Sequence, residues 1–485
     1  MVEDLLKKTP HGVIEMLKIK GIGPKKISII WKEMEIESIG ELLYACHENR
    51  LLLFKGFGKK TQDNVIESIE FYEQQQGKYL FAQVENLGSK LTAFLQNIFS
   101  DIKIDITGDF KRHTETISML EFVIPSTTET IINSLGKLDE FVLLEQNEDH
   151  LLYHYDERIK VKLFSTVGEL LSKKLFYTSG TEEFIESFTR EFSKVNFEKV
   201  SHDEDIFKEL NIQYIPYFLR ESSEIINHAK KFVIPDVIQP ADIKGMIHCH
   251  SNWSDGSNTL QQLMEAAIDR NLEYLVISDH SKTAAYAKGL SEEKIKEQHI
   301  LVDELNEKYK FFKIFKSIES DILNDGNLDY SNSFLSTFDL VIASVHSNLK
   351  MSEDKAMMRL LKAIENPYTT ILGHMTGRLL LSRKGFPLDH KKIIDACAAN
   401  HVVIELNAHP RRLDMRWQWM EYALKKNVLI SIDPDAHSVD EFDNNRYGVL
   451  AAQKGMLTKE NNLSSFSLIE FEKFLKENKK KKMSL

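Results

Sequence analysis

The chain has 485 residues, 42% of them hydrophobic and 28% charged, which suits roughly two to four domains of an ordinary globular protein. A net charge of −11 excludes a generally basic nucleic-acid coat, though not contact through local basic patches. Three scattered cysteines (Cys46, Cys249, Cys397) exclude a disulfide framework, and the absence of an apolar leader or of a run of about 18 apolar residues makes a reduced, cytoplasmic, membrane-free setting the expectation.

Residues 1–78 read as helical. "IKGIGPKKI" and "FKGFGKKTQDNV" each place a Gly-x-Gly turn at a helix start. The first holds Gly21 and Gly23 with Lys25 and Lys26, the second Gly56 and Gly58 with Lys59 and Lys60. Glycine lets backbone approach a ligand closely, and the free N–H groups at a helix start attract phosphate. Two plain helical hairpins would need no ligand. The doubled motif resembles the helix-hairpin-helix, a clamp on the DNA backbone that is indifferent to sequence.

Residues 79–235 hold "ITGDFKRHTETISMLEFVI" (106–124), "LFYTSGTEEF" (175–184) and "DIFKELNIQYIPYFLRE" (205–221). These resemble the palm and thumb of the bacterial family X DNA polymerases, an α+β nucleotidyltransferase-like module, with Gly108, Arg112, Glu115 and Thr116 matching one motif. Nucleotidyl transfer needs carboxylates that hold two metal ions. The resemblance puts two of them at positions that here read Met119 and Glu121, and the third at Lys162 in "RIKVKLFS". Methionine is a poor ligand for a hard cation, a lysine ammonium repels one, and Asp109 places an acid where triphosphate would bind. A polymerase-inactive module is expected.

From about residue 241 short apolar runs alternate with amphipathic stretches, the pattern of repeated βα units. "IKGMIHCHS" ends at His248 and His250, and Asp255 follows in "NWSDG". "LEYLVISDHS" ends at His280, "KIFKSIESDIL" carries Glu319, "FDLVIASVHS" ends at His346 and "YTTILGHMTG" at His374. "HVVIELNAHP" ends near Asn407 and His409, and "NVLISIDPDAHS" at Asp435 and His437. Helices are expected at roughly 259–270, 291–309, 353–366, 388–400 and 413–427. Parallel strands joined by helices close into a barrel with its active site at the C-terminal strand ends. Histidines i and i+2 on a strand share a face. Each histidine could simply cap its own strand, but so many imidazoles and carboxylates at one mouth would be costly without compensating cations.

The run HxH…SDG…DH…E…SVHS…GH…DAH resembles the polymerase and histidinol phosphatase (PHP) domain, a distorted (β/α)7 barrel with three divalent metal ions. The resemblance implies one ion on His248, His250, Glu319 and Asp435. It implies a second on His346 and His374, bridged by Glu319, and a third on Asp255, His280 and His437. Mixed imidazole and carboxylate ligands suit manganese, zinc or iron rather than calcium. Pro434 stands where the family has Thr or Ser, which removes no ligand. Cys249, between two ligands, is expected in the core. Arg378 and Arg411, with Arg412 beside them, lie just past strand ends and are candidates to bind substrate phosphate bidentately, and Lys282 is a weaker one.

Domains are therefore expected at 1–78 (helix-hairpin-helix), 79–235 (degenerate palm and thumb) and 236–475 (barrel). The lysine run at 476–485 is expected to be a frayed, solvated tail. The family also implies a lyase-like helical domain ahead of the first hairpin. The sequence does not include it and does not say whether the protein lacks it, so no lyase activity is assigned. The leading reading is a metal-dependent phosphodiesterase on gapped, nicked or 3′-ended DNA, a 3′–5′ exonuclease in repair. The alternatives are a small-molecule phosphoesterase of histidinol-phosphatase type and a non-catalytic DNA-binding protein.

Overall fold

The computed structural model describes residues 9–74, 77–193, 195, 200 and 202–484. Two compact units divide the chain: residues up to Glu70 together with Val237 onward, and Phe71–Asp236. The helical segment expected to stand alone at 1–78 thus packs with the barrel.

Seven strand positions build the barrel, the third of them broken. Gly245–Cys249, Tyr274–Ile277 and Lys313–Lys316 pair in parallel. Glu319–Asp321 continues the third strand and pairs in parallel with Ile342–Ser344, followed by Ile371–Leu372, Val403–Asn407 and Ile430–Asp433. Parallel bridges His280–Glu319 and Cys249–Ala436 join the two sheets and close the ring. Apart from the two end lysines of Lys313–Lys316, the strands are buried, because helices cover their outer faces. Helices Leu260–Asp269, Glu292–Lys308, Glu353–Ile364 and His390–Ala399 fall where expected. Three of these carry a Ser or Thr N-cap, whose side-chain oxygen accepts from the third helical N–H. Cys249 is buried in an apolar cluster with Met246, Leu260 and Ile277.

The tail is a correction. Leu468–Lys482 is one helix, opened by a Ser467–Glu470 capping box. Its Phe471 stacks on Tyr274 at 4.4 Å, Asn478 donates to His401 O (2.7 Å) and Lys482 Nζ to Asn400 O (3.0 Å). The segment is helical and not frayed, while Lys476, Lys479, Lys480 and Lys481 stay exposed as expected; among them Lys482 alone is buried, its stem laid on the surface and its ammonium on a carbonyl.

In the helical segment, Pro24–Lys32 and Lys59–Gln74 each follow a Gly-x-Gly turn. Gly21 and Gly56 lie at φ +96° and +97°, which a side chain would strain, with no atom within 4 Å of an added Cβ. Ile22 and Phe57 are buried between the glycines, and Lys26 lies 5.5 Å from the Phe57 ring centroid. Both turns therefore present backbone to solvent.

The unit Phe71–Asp236 is built on a five-stranded sheet in the order Asp105–Thr107, Met119–Ile124, Ile159–Ser165, His150–Tyr155, Phe141–Gln146. Among the described residues, no helix is long and apolar enough to cross a membrane.

Candidate metal centre

His248 and His250 do not follow a plain pleat. The first strand slips by one residue against its neighbour between Met246 and Cys249, and His248 sits at φ +59°. A bulge, not simple alternation, aims the pair inward, and the two ring centroids are 5.3 Å apart. Asp435 is likewise left-handed, at φ +54°. Two non-glycine residues held in this region at one rim mark a site that the surrounding fold over-determines.

All nine residues singled out converge there, each 9% exposed or less in its side chain. Glu319 is the hub. Its Oε1 lies 3.3 Å from His248 Nε2, 3.1 Å from His346 Nε2 and 3.0 Å from His374 Nε2, and its Oε2 lies 3.0 Å from His280 Nδ1. Asp435 Oδ1 is 3.1 Å from His250 Nε2 and 3.4 Å from His248 Nε2. Asp255 is 3.5 Å from both His280 Nε2 and His437 Nε2.

Three groups of donor atoms are close enough to share an ion. These are His248, His250, Glu319 and Asp435; His250, Asp255, His280 and His437; and His280, Glu319 and His346. The first set equals the expected one. The second adds His250 to its expected partners. The third brings His280 to Glu319 and His346, while His374 meets the same Glu319 oxygen.

The fit to cations rests on unpartnered atoms. His248 Nε2, His250 Nδ1, Asp255 Oδ2, His280 Nδ1, Glu319 Oε2, His374 Nδ1 and His437 Nε2 are buried without a hydrogen bond. His280 Nδ1 and Glu319 Oε2 lie 3.0 Å apart yet form none, so they aim at a third point. Ligand bonds of about 2.0–2.2 Å set neighbouring donors roughly 3.0–3.4 Å apart, which is the spacing here. Burial opposes the charge on Glu319, but the His346, His248 and His280 rings hold its carboxyl well below the usual carboxylate range.

A second layer, unremarked in the sequence, orients the first. His248 Nδ1 bonds the Glu405 carboxylate, and His346 Nδ1 bonds Asp321. With Nδ1 so engaged, each ring turns its Nε2 lone pair inward. Glu405 also accepts from His374 N (2.5 Å), and Asn407 Nδ2 donates to Asp435 Oδ2 (3.0 Å). Asp279 gathers Ser251, Ser254 and Gln298 behind the Asp255 turn. The signal was present as i, i+2 spacing, Glu405 to Asn407 and Glu319 to Asp321, which puts each pair on one strand face.

Two arginine expectations change. Arg378 is buried, and its guanidinium donates to the carbonyls of Arg412 (2.9 Å) and Leu413. It braces that loop and does not line the mouth. Arg411 is also buried, with its backbone N–H on His409 Nδ1 (3.2 Å). Arg412, itself only 5% exposed, borders open space together with Arg50 and Arg383. A cavity of about 580 Å³ lies beside His346, walled by Trp31, Tyr44 and Arg50 of the helical segment and by Tyr286, Arg383 and Arg412 of the barrel. Lys282 is exposed and lies 5.0 Å from the Tyr330 ring centroid.

In the five-stranded sheet, Glu121 lies opposite Lys162, and Met119 opposite Lys160. The Glu121 carboxylate accepts from Asp109 N at 3.4 Å, and a side chain at Gly108 would overlap it. Among the described residues, the three groups able to hold an ion all lie in the barrel.

Residues 247–409 match the PHP domain family model, and residues 13–70 match the SAM-like helix-hairpin-helix tandem. The barrel is thus a PHP-type hydrolase domain, the class that its strand-end ligands define. The DNA polymerase/3′–5′ exonuclease PolX of Bacillus subtilis (strain 168) is 29% identical over 497 aligned residues, covering 98% of this chain and 87% of that protein. Along nearly its whole length the chain is thus similar to a bacterial DNA polymerase/3′–5′ exonuclease, with a helix-hairpin-helix match ahead of a PHP-domain match. A probable phosphatase of Caldanaerobacter subterraneus subsp. tengcongensis is 31% identical over 105 residues, 21% of this chain and 39% of that protein. Among solved structures, histidinol phosphate phosphatase from Lactococcus lactis gives a TM-score of 0.33 at 16% identity, covering 44% of this chain and 94% of that one. Leishmania infantum polymerase beta in a ternary complex gives 0.25 at 13%, covering 43% and 98%. Neither score is high enough to carry an argument.

Proposed function

We propose that the protein hydrolyses phosphodiester bonds of DNA from 3′ ends, as a 3′–5′ exonuclease at gaps, nicks or free termini, and that its family X module does not polymerise. The observation that supports this best is the buried set of nine imidazole and carboxylate ligands with seven unpartnered atoms. Manganese or zinc, with iron as a third choice, suits that donor set. His248, His250, Glu319 and Asp435 would hold one ion, His346 and Glu319 with His374 or His280 a second, and Asp255, His280 and His437 with His250 a third.

Ions bound there would supply an activated water and neutralise charge on the phosphoryl group. The chain's own residues do the rest. Glu405 and Asp321 fix the tautomers of His248 and His346. Arg412, which borders the cavity beside His346, is the candidate to meet a phosphate oxygen, ahead of Arg378, whose guanidinium already donates to two carbonyls. The exposed turns at Gly21–Gly23 and Gly56–Gly58, with Lys25, Lys26, Lys59 and Lys60, offer backbone N–H groups to DNA phosphates. Met119 and Lys162 leave Glu121 without the carboxylate partners that nucleotidyl transfer needs.

Incubation of 3′-labelled duplex DNA with the protein and Mn²⁺ tests this, with histidinol phosphate in a parallel tube. Release of labelled mononucleotide is the expected result. Turnover of histidinol phosphate with DNA left intact would replace this reading by the small-molecule one.

A further inference from the structure

Asp435 uses its two oxygens differently. Oδ1 faces the inward nitrogens of His248 and His250. Oδ2 faces away from them and accepts from Asn407 Nδ2 at 3.0 Å and from the Tyr44 hydroxyl at 3.3 Å. Tyr44 does not belong to the barrel. It lies on helix Ile39–His47 of the helical segment, 391 positions before Asp435.

The Tyr44 hydroxyl is committed in one direction. Arg412 Nε donates to it at 2.7 Å, and the guanidinium lies 4.4 Å from the Tyr44 ring centroid. With its oxygen accepting from Arg412, the proton of the hydroxyl is left to go to Asp435. The His409 ring packs on the Tyr44 edge, with centroids 5.2 Å apart at 80°.

The helix is latched to the barrel around this point. Arg383 pairs with Glu41 (2.6 Å), and the Ser38 and Ser382 hydroxyls meet at 2.7 Å. Asn49 Nδ2 reaches Asp255 O (3.3 Å) and Ser257 Oγ (3.0 Å). The helical segment thus touches the backbone of a second ligand residue as well.

We propose that Tyr44 is a positioning residue of the metal centre: the Arg412–Tyr44–Asp435 relay holds Oδ2 so that Oδ1 points at the ion shared by His248, His250 and Glu319. This rests on the metal-centre reading above. The DNA-clamp segment then completes the barrel's ligand set, beyond delivering substrate to it.

The test is Mn²⁺ and Zn²⁺ binding by equilibrium dialysis, without substrate, on the full chain. Tyr44→Phe keeps the ring on Arg412 and His409 and deletes the hydroxyl that donates to Asp435 and accepts from Arg412. One ion should bind about 10–100-fold more weakly, the usual effect of losing a partner behind a ligand, while the remaining ions bind as in the wild type. Should Tyr44→Phe not fold, Arg412→Lys reads the same relay, because it removes the Nε bond that turns the hydroxyl toward Asp435. Wild-type affinity in the variant measured overturns the inference. A wild-type protein that retains neither Mn²⁺ nor Zn²⁺ sinks the metal-centre reading itself, which a retained but unshifted affinity would not.

Discussion

At the barrel rim, Glu319 meets four imidazoles at 3.0–3.3 Å, and its Oε2 and six buried atoms of neighbouring ligand residues lack a hydrogen-bond partner. In the five-stranded sheet, Glu121 faces Lys162 across the ladder and is capped by the Asp109 N–H. The barrel keeps its strained ligands, His248 and Asp435 at positive φ, with a second layer of carboxylates behind them. Among the described residues the sheet shows no such cluster of donor atoms, and the cross-strand neighbour of Glu121 is a lysine. A carboxylate on a strand is therefore a weak sign of metal chemistry. Unpartnered donors aimed at a common point, backed by oriented neighbours, are a strong one.

The contrast breaks most easily at Glu319. Glu319→Gln should lower Mn²⁺-dependent release of mononucleotide by about 10³-fold or more, since it removes the negative charge and replaces one of the two oxygens that face the imidazoles. Chelation should do the same to the wild type, with recovery on adding Mn²⁺. His374→Ala should abolish the release while fluorescence-anisotropy binding of DNA stays near wild type. Primer extension on a primed template with all four nucleotides should give no product, even from His374→Ala. Clear extension would dissolve the difference between the two units.

Smaller changes sharpen it. Glu405→Gln should weaken metal affinity or activity about 10–100-fold by releasing the His248 tautomer, read by metal titration. Lys59→Ala with Lys60→Ala should leave hydrolysis of a small phosphodiester intact. The same pair should flatten the salt dependence of DNA binding by about 1–2 in the log–log slope. Arg378→Ala should act on stability through its two carbonyl bonds, by about 1.5–3 kcal/mol in denaturant melts.

Much of the site is legible in the sequence because barrel strands are short and each ends in its ligand. His280, His346, His374 and His437 could be read one after another from apolar runs that stop at a histidine. Glu405 and Asp321 lay in plain view at i, i+2 spacing, but nothing local distinguishes a carboxylate bonded to a ligand's Nδ1 from a ligand itself. Arg378 went the other way: a guanidinium near a strand end looks ready for phosphate until two carbonyls are found in front of it. Among the C-terminal lysines, Lys482 reads as solvated because charge is a property of the residue, whereas the carbonyl of Asn400 that receives it comes from another element.

The amino-acid order alone determined the alternation of strand and helix, the nine ligand types at strand ends and the two glycine turns, because periodicity and turn chemistry act over a few residues. Tertiary structure decided which imidazoles share an oxygen, which arginines border open space, and that Tyr44 stands behind Asp435. Those depend on closing the ring and seating a distant helix against it, contacts between residues hundreds of positions apart that no local pattern encodes.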